Sequence, residues 1–219
     1  MRQIICIHAG NKYPREYVDK LERGCRRASD HHFQFTVLDE KLLDPVPGLR
    51  PDRLWWYKMQ AFRPDIAQDE NLLLDLDLVI VRELDRFWDW QKGKFMICQD
   101  FNRHWIQTYP HSNSSVVRFT KQQAADVWDK WSRNWQQAIQ AHRGDQDWMD
   151  SEIRDKVWWP REWVQSWKWE VYRNGQKAQH SDHYYSNTTD LDPCCSIIAF
   201  HGKPDPHEID DPIISQHWS

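Results

Sequence analysis

The stretch Asn71-Leu-Leu-Leu-Asp-Leu-Asp-Leu-Val-Ile-Val81 places two carboxylates, Asp75 and Asp77, at the end of an apolar run that reads as a buried strand. In an extended chain, residues i and i+2 point to the same side, so the two acids share one side and Leu76 faces away into a core. Two like charges side by side call for a cation. An unbroken strand to Val81 would put Val79 and Val81 on the carboxylates' side, so the chain is expected to bend just after Asp77. The acids then sit at a strand end, open to a cleft, and residues 78–81 continue as a short strand in a new direction.

The flanking sequence supplies a sheet for that strand. Residues 3–9 are a short apolar strand, and Gly10-Asn-Lys-Tyr-Pro14 carries turn chemistry. From 15 to 28 the apolar Tyr17, Val18, Leu21 and Cys25 fall at helical spacing, and 33–38 reads as a second strand. A β-turn-α-β opening of this kind is typical of nucleotide-binding α/β sheets, whose ligands sit beyond the carboxyl ends of the strands, where His8, Asn11 and Tyr13 fall. Residues 52–62 predict a helix with Asp52 as N-cap and Trp55, Met59 and Phe62 on one face, ended by Pro64. Further strands are expected at 95–99, 115–119 and 196–200, with a loop over 100–114. Helices are expected at 122–140, packed on the sheet, and at 145–156. Residues 158–192 are poorly periodic, and the last residues read as a surface tail.

Composition narrows the class. The 219 residues suit one domain without an internal linker. The formal charge of −4, with both signs spread along the chain, gives no general reason to bind nucleic acid or an anionic membrane. The first apolar run is too short for a signal peptide and no stretch approaches a spanning helix, which predicts a cytoplasmic protein. Five scattered cysteines support neither a disulfide framework nor a zinc site and read as reduced, packed thiols. Fifteen tryptophans are the anomaly. Most suit a core, although sugar rings also stack on aromatic faces, so a few could line a carbohydrate site.

A lone D-x-D pair is weak, but ionised acids at the end of a buried strand are costly unless paired or bound to metal. His201 follows the strand at 196–200, with a glycine that permits close backbone approach and a lysine two residues on. Carboxylate plus imidazole, with positions left for phosphate oxygens, suits a divalent ion such as Mn²⁺. His31-His32 and His180-Ser-Asp-His183 lack the helical HExxH context and read as loop histidines, and Cys194-Cys195 reads as packing.

The order of motifs resembles that of the GT-A glycosyltransferases, in particular the glycogenin-like and lipopolysaccharide galactosyltransferase-like enzymes (family 8-like) and their small bacterial and phage relatives. The matching pieces are the N-terminal strand and turn, Trp56-Tyr-Lys-Met59, Leu74-Asp-Leu-Asp77, Asn113-Ser-Ser115, Gly144-Asp-Gln-Asp147 and His201-Gly-Lys-Pro204, which span nearly the whole chain in the expected order. The resemblance implies an α/β protein: a single GT-A, Rossmann-like nucleotide-diphospho-sugar transferase domain over residues 1–219, with a mixed central sheet flanked by helices.

The resemblance further implies Mn²⁺, or Mg²⁺, held by Asp75, Asp77 and His201, with Asp75 nearer the nucleotide ribose. His8, Asn11, Tyr13, Lys58 and Lys203 would contribute to binding a nucleotide-diphosphate sugar, Lys203 at the diphosphate and Lys58 at the phosphate or sugar. Asn113 and Asp145 would hydrogen-bond the donor sugar, and Gln146 would face its anomeric carbon. Read alone, Lys58 is equally an ordinary surface lysine, and Gly144-Asp145 an ordinary helix start. One residue separates His201 from Lys203 where the family has several, which leaves a retaining outcome open. Ser166-Trp-Lys168 matches only weakly, and Lys168 is expected to be solvated.

The expected reaction is metal-dependent sugar transfer from a nucleotide-diphosphate sugar to a hydroxyl of a glycan or other acceptor. Metal-dependent nucleotidyl or phosphoryl transfer uses similar groups but normally more carboxylates. A non-enzymatic carbohydrate-binding module, with tryptophan platforms and a Ca²⁺ site, is the third reading. The donor base and sugar, the acceptor and the oligomeric state are not written in these residues.

Overall fold

The computed structural model describes residues 1–104, 106, 108–171 and 191–219. In chain order it runs β1 (Arg2–Ile7), α1 (Glu16–Arg27), β2 (Gln34–Leu38), a 3₁₀ helix (Pro51–Phe62), β3 (Glu70–Leu74), β4 (Leu78–Ile80), α2 (Asp85–Asp89), β5 (Phe95–Gln99) and β6 (Ser112–Thr120). It continues through α3 (Lys121–Ala141), α4 (Asp145–Glu152), β7 (Lys156–Trp158), β8 (Val164–Ser166), β9 (Ile197–Ala199) and α5 (Pro212–His217).

Six strands form a mixed sheet in the order β2-β1-β3-β6-β5-β7, in which β1 is parallel to β2 and β3, and β6 is antiparallel to β3 and β5. Strand alternation divides its side chains between two cores. Ile4, Cys6, Leu72, Leu74, Met96, Cys98 and Val116 enter one, with α1 beneath them. Ile5, Leu73, Phe95, Ile97, Val117 and Phe119 enter the other, under the 3₁₀ helix and α3. This is the mixed sheet flanked by helices that the sequence predicts.

The chain does turn after the acid pair. β3 ends at Leu74, and β4 joins a second sheet, β4-β9-β8, pairing antiparallel with β9. Leu76 is 6% exposed and packs in the first core, as the alternation requires.

Several expectations are corrected. Residues 51–62 form a 3₁₀ helix entered through Pro51, without a side-chain cap; Asp52 pairs instead with Arg50. With three residues per turn, Trp56, Met59 and Phe62 share the buried face, and Trp55 is turned out, 46% exposed. β6 begins at Ser112, so Asn113 lies on a strand and not in the loop. α4 stops at Glu152, and 156–158 are strand. The C-terminal residues are no loose tail: Trp218 packs edge-on against Tyr17 at 4.8 Å. His180 and His183 lie outside the described residues.

Candidate active site

The topology brings one set of chain ends to one edge of the sheet. Parallel pairing sets the end of β1 beside the end of β3, with Cys6 opposite Leu74. Antiparallel pairing brings the start of β6 to the same edge, where the Asp75 amide donates to the Ser115 carbonyl at 3.0 Å. At that edge Ile7, Ala9, Lys12, Tyr13, Asp52, Leu54, Trp55, Lys58, Asp75 and Asp77 line a cleft of about 290 Å³. Past a kink at Arg53, the threefold repeat of the 3₁₀ helix explains two of them, since Trp55 and Lys58 fall on one face; Asp52 precedes the kink.

Lys58 is the hub of the cleft floor. Its Nζ lies 2.6 Å from Asp75 Oδ1 and 3.7 Å from Asp145 Oδ2, and donates to Ser114 Oγ at 2.9 Å. Ser114 Oγ in turn donates to Asp145 Oδ2 at 2.6 Å. Burial disfavours the Lys58 charge, but Asp145 and Asp75 outweigh it and hold the ammonium above its ordinary pKa. Burial pushes the Asp145 carboxyl upward, opposed by Lys58 and Ser114. Beside them, Asn113 Nδ2 donates to Gln146 Oε1 at 3.3 Å, which joins β6 to the start of α4.

Asp77 has a different environment. It is 9% exposed, and Tyr13 Oη donates to its Oδ2 at 2.7 Å. Burial, followed by repulsion from Asp75, pushes its carboxyl up to about 7, while Tyr13, Lys12 and Lys58 work in the opposite direction. Tyr13 is raised in turn by burial and by Asp77. His8 braces this loop through Nε2, 3.0 Å from the Tyr13 carbonyl. Asn11 is exposed and does not line the cleft.

His201 follows β9, and the Phe200 amide donates to the Asp77 carbonyl at 3.2 Å, so imidazole and acid pair occupy adjoining chain ends. Its ring stacks on Phe101 and meets Trp169 edge-on, and Nε2 lies 2.6 Å from Ser166 Oγ. Burial, then Lys168 and Arg103, lowers its pKa to about 3, so the imidazole is neutral at physiological pH. Lys168 is not solvated as expected: its Nζ donates to the His201 carbonyl at 2.6 Å, and burial lowers its pKa. Gly202, at φ +78°, sits where a Cβ would be 3.4 Å from that Nζ.

Lys203 reaches Asp205 at 2.7 Å and Glu208 at 2.8 Å. Among the described residues, Asp205, His207 and Glu208 are the trio whose ligand atoms lie within 4.8 Å of one another, and Lys203 already neutralises two of them. Asp75, Asp77 and His201 are not so gathered. The structure therefore unites Tyr13, Lys58, Asp75 and Asp77 at the cleft; Asp145 lies behind Lys58, and the Asn113–Gln146 pair stands next to it without lining the cleft. His201 and Lys203 stand on the adjoining segment. Lys12, Trp55 and Ser114 are additions; the spacing of Trp55 and Lys58, read at period three, was the signal for Trp55, and no local pattern marked Lys12 or Ser114.

By sequence, no family model matches the chain and no curated protein matches it. Solved structures do. A complex of the galactosyltransferase LgtC with donor and acceptor sugar analogues superposes with a TM-score of 0.61 at 14% identity, covering 93% of this chain and 88% of that one. The bifunctional glycosyltransferase WbbM gives 0.64 at 11% identity, over 93% of this chain and 46% of WbbM. GlyE of Streptococcus pneumoniae TIGR4 gives 0.60 at 12% identity, over 94% and 56%. This chain therefore has the GT-A glycosyltransferase fold that its motif order predicts. Among the described residues, no helix is long and apolar enough to cross a membrane.

Proposed function

We propose that the protein transfers a sugar from a nucleotide-diphosphate sugar to an acceptor hydroxyl, with a divalent cation, Mn²⁺ or Mg²⁺, bound at the acid pair. The observation that carries this reading is Asp77, a buried carboxylate at a strand end, set against Asp75 and answered, among the described residues, by a phenol at hydrogen-bonding distance. A site so strained toward protonation gains from a cation. Asp75 and Asp77 would hold it, with the neutral His201 ring of the adjoining segment as third ligand. When bound, the ion stabilises the charge that develops on the leaving diphosphate.

The remaining work belongs to the chain. The cleft between Tyr13, Trp55 and Lys58 accepts the nucleotide, and its apolar wall of Ile7, Leu54 and Trp55 suits a base or ribose face. Lys58, fixed by two carboxylates, places a cation beside the donor phosphates or sugar. Asn113 and Asp145 hydrogen-bond the donor sugar, and Gln146, held by Asn113, faces its anomeric carbon. Holding donor and acceptor within about 3–3.5 Å of reaction converts their encounter into an effectively intramolecular one. Lys203 would exchange Asp205 and Glu208 for the diphosphate.

Release of nucleoside diphosphate from a panel of nucleotide sugars, measured with and without Mn²⁺, tests this. Slow, metal-dependent hydrolysis of at least one donor is expected, lost in Asp77→Asn. Absence of turnover for every donor, with metal and a glycan mixture present, contradicts it.

A further inference from the structure

The same edge of the sheet continues past Gln146 to an aromatic residue that the donor cleft does not use. β7 is parallel to β5, with Ile97 opposite Trp158, so Trp158 ends its strand at the edge where β3 ends and β6 begins. Sheet order places it two strands beyond β6, about 10 Å from Asn113, on the side away from the nucleotide cleft.

Trp158 is 37% exposed, unlike the tryptophans of the core. It is nonetheless held: Nε1 donates to Ser112 Oγ at 3.0 Å, and Ser112 is adjacent in sequence to Asn113. Ser112 also follows His111 in sequence, and Asp150, four residues after Gln146 and hence on the same face of α4, pairs with Lys156 at 3.3 Å. Asp150 Oδ2 is 2.9 Å from Nδ1 of the exposed His111, whose ring meets Tyr109 at 5.1 Å. The consecutive residues 111–113 thus tie the indole, through Ser112, to Asn113 and its partner Gln146, with the Asp150 carboxylate and the His111 imidazole at the rim.

An exposed indole of fixed orientation, flanked by hydrogen-bonding groups, fits the amphipathic faces of a pyranose: C–H bonds against the ring, hydroxyls toward the polar rim. An unstructured peptide or a lipid tail would not use the His111–Asp150 rim in this way. Resting on the transferase reading, we infer that Trp158, with His111 and Asp150, forms an acceptor subsite for a sugar ring, and that the acceptor is a glycan.

Saturation-transfer difference NMR with methyl β-D-galactopyranoside, methyl β-D-glucopyranoside, lactose and cellobiose tests the subsite without a donor. Wild type and Trp158→Phe should both saturate the C–H protons of one ring face in at least one probe. Trp158→Ala should bind that probe about 3- to 10-fold more weakly, the range expected for one aromatic contact, while its thermal midpoint and donor hydrolysis remain at wild-type levels. No saturation transfer to any probe, or equal transfer in Trp158→Ala, overturns the subsite. Loss of donor hydrolysis from the wild type would instead overturn the transferase reading, and the binding arm would still decide whether Trp158 holds sugar.

Discussion

The chemistry of the cleft turns on how three carboxylates, buried Asp77 and Asp145 and half-buried Asp75, share too little positive charge. Lys58 satisfies Asp75 directly and Asp145 at longer range, and Asp77 is left with a phenol. Removing the lysine leaves two acids unpaired, so Lys58→Met should cost about 3–5 kcal/mol in urea unfolding, the usual penalty for breaking a buried pair. Asp145→Asn in that background should recover part of the loss. Asp77 behaves oppositely. Its folded pKa, about 7, lies above the unfolded value, so its protonated form favours the fold. That contribution is fully present below the unfolded pKa, near 3.9, and is lost as pH rises through 7. Without added metal, Asp77→Asn should therefore be more stable than wild type at pH 8, by something of the order of 2–4 kcal/mol, with the gap closing toward pH 4. Denaturation across that range checks it; a gap that widens in acid contradicts the assigned environment. A stabilising substitution that abolishes metal-dependent turnover is what a functional residue predicts. The acid pair itself was legible in the sequence as charge at the end of an apolar strand. Its partners were not, because Lys58–Asp75, Lys58–Ser114 and Tyr13–Asp77 are contacts between distant segments that no local pattern encodes.

At the scale of elements, periodicity governed what could be read. The strands of the central sheet alternate between two cores, and α1 and α3 follow a 3.6-residue period, so their positions follow from the sequence. Past a kink at Arg53, residues 54–62 wind at three per turn, which moves the buried face from Trp55 to Trp56 and turns Trp55 and Lys58 to the cleft. β7 has only three residues, too few to declare a period: the helix expected at 145–156 took in its first residue, Lys156, and Trp158 fell in the poorly periodic stretch. The join between the 3₁₀ helix and α4 is tight: a Cβ at Gly144 would stand 2.9 Å from Trp55 Nε1. Gly144 is extended, at φ −164°, so space and not backbone conformation demands the glycine. Gly144→Ala should displace the indole or the first turn of α4, which carries Asp145 and Gln146. Turnover is expected to fall about tenfold, with a lower thermal midpoint that Trp55→Ala partly restores by relieving the contact. Unchanged turnover in Gly144→Ala would show that α4 does not need its present register.

Across the whole molecule, the cleft depends on a scaffold that residues 212–218 help to close. α5 lies against β4. Trp218, 7% exposed, is held edge-on by Tyr17 and covered by the Lys20 ammonium 3.9 Å from its ring centroid. Tyr17 also stacks on Tyr13, the residue that binds Asp77. Trp218→Ala should cost about 3–5 kcal/mol in chemical denaturation, and by loosening Tyr13 it should weaken donor binding more than its distance from the cleft suggests. The sequence, read as apolar periods, leaves this segment as surface because its single buried helical face is Ile214 and its anchor is one tryptophan.

The most direct test of the account is a thermal-shift panel of nucleotide-diphosphate sugars with and without Mn²⁺, on wild type and Asp77→Asn. A cation at Asp75 and Asp77 that completes the donor site predicts stabilisation by at least one nucleotide sugar only when Mn²⁺ is present, and none in Asp77→Asn. Stabilisation by no nucleotide sugar, or by one equally well without metal and in the Asp77→Asn protein, would contradict it.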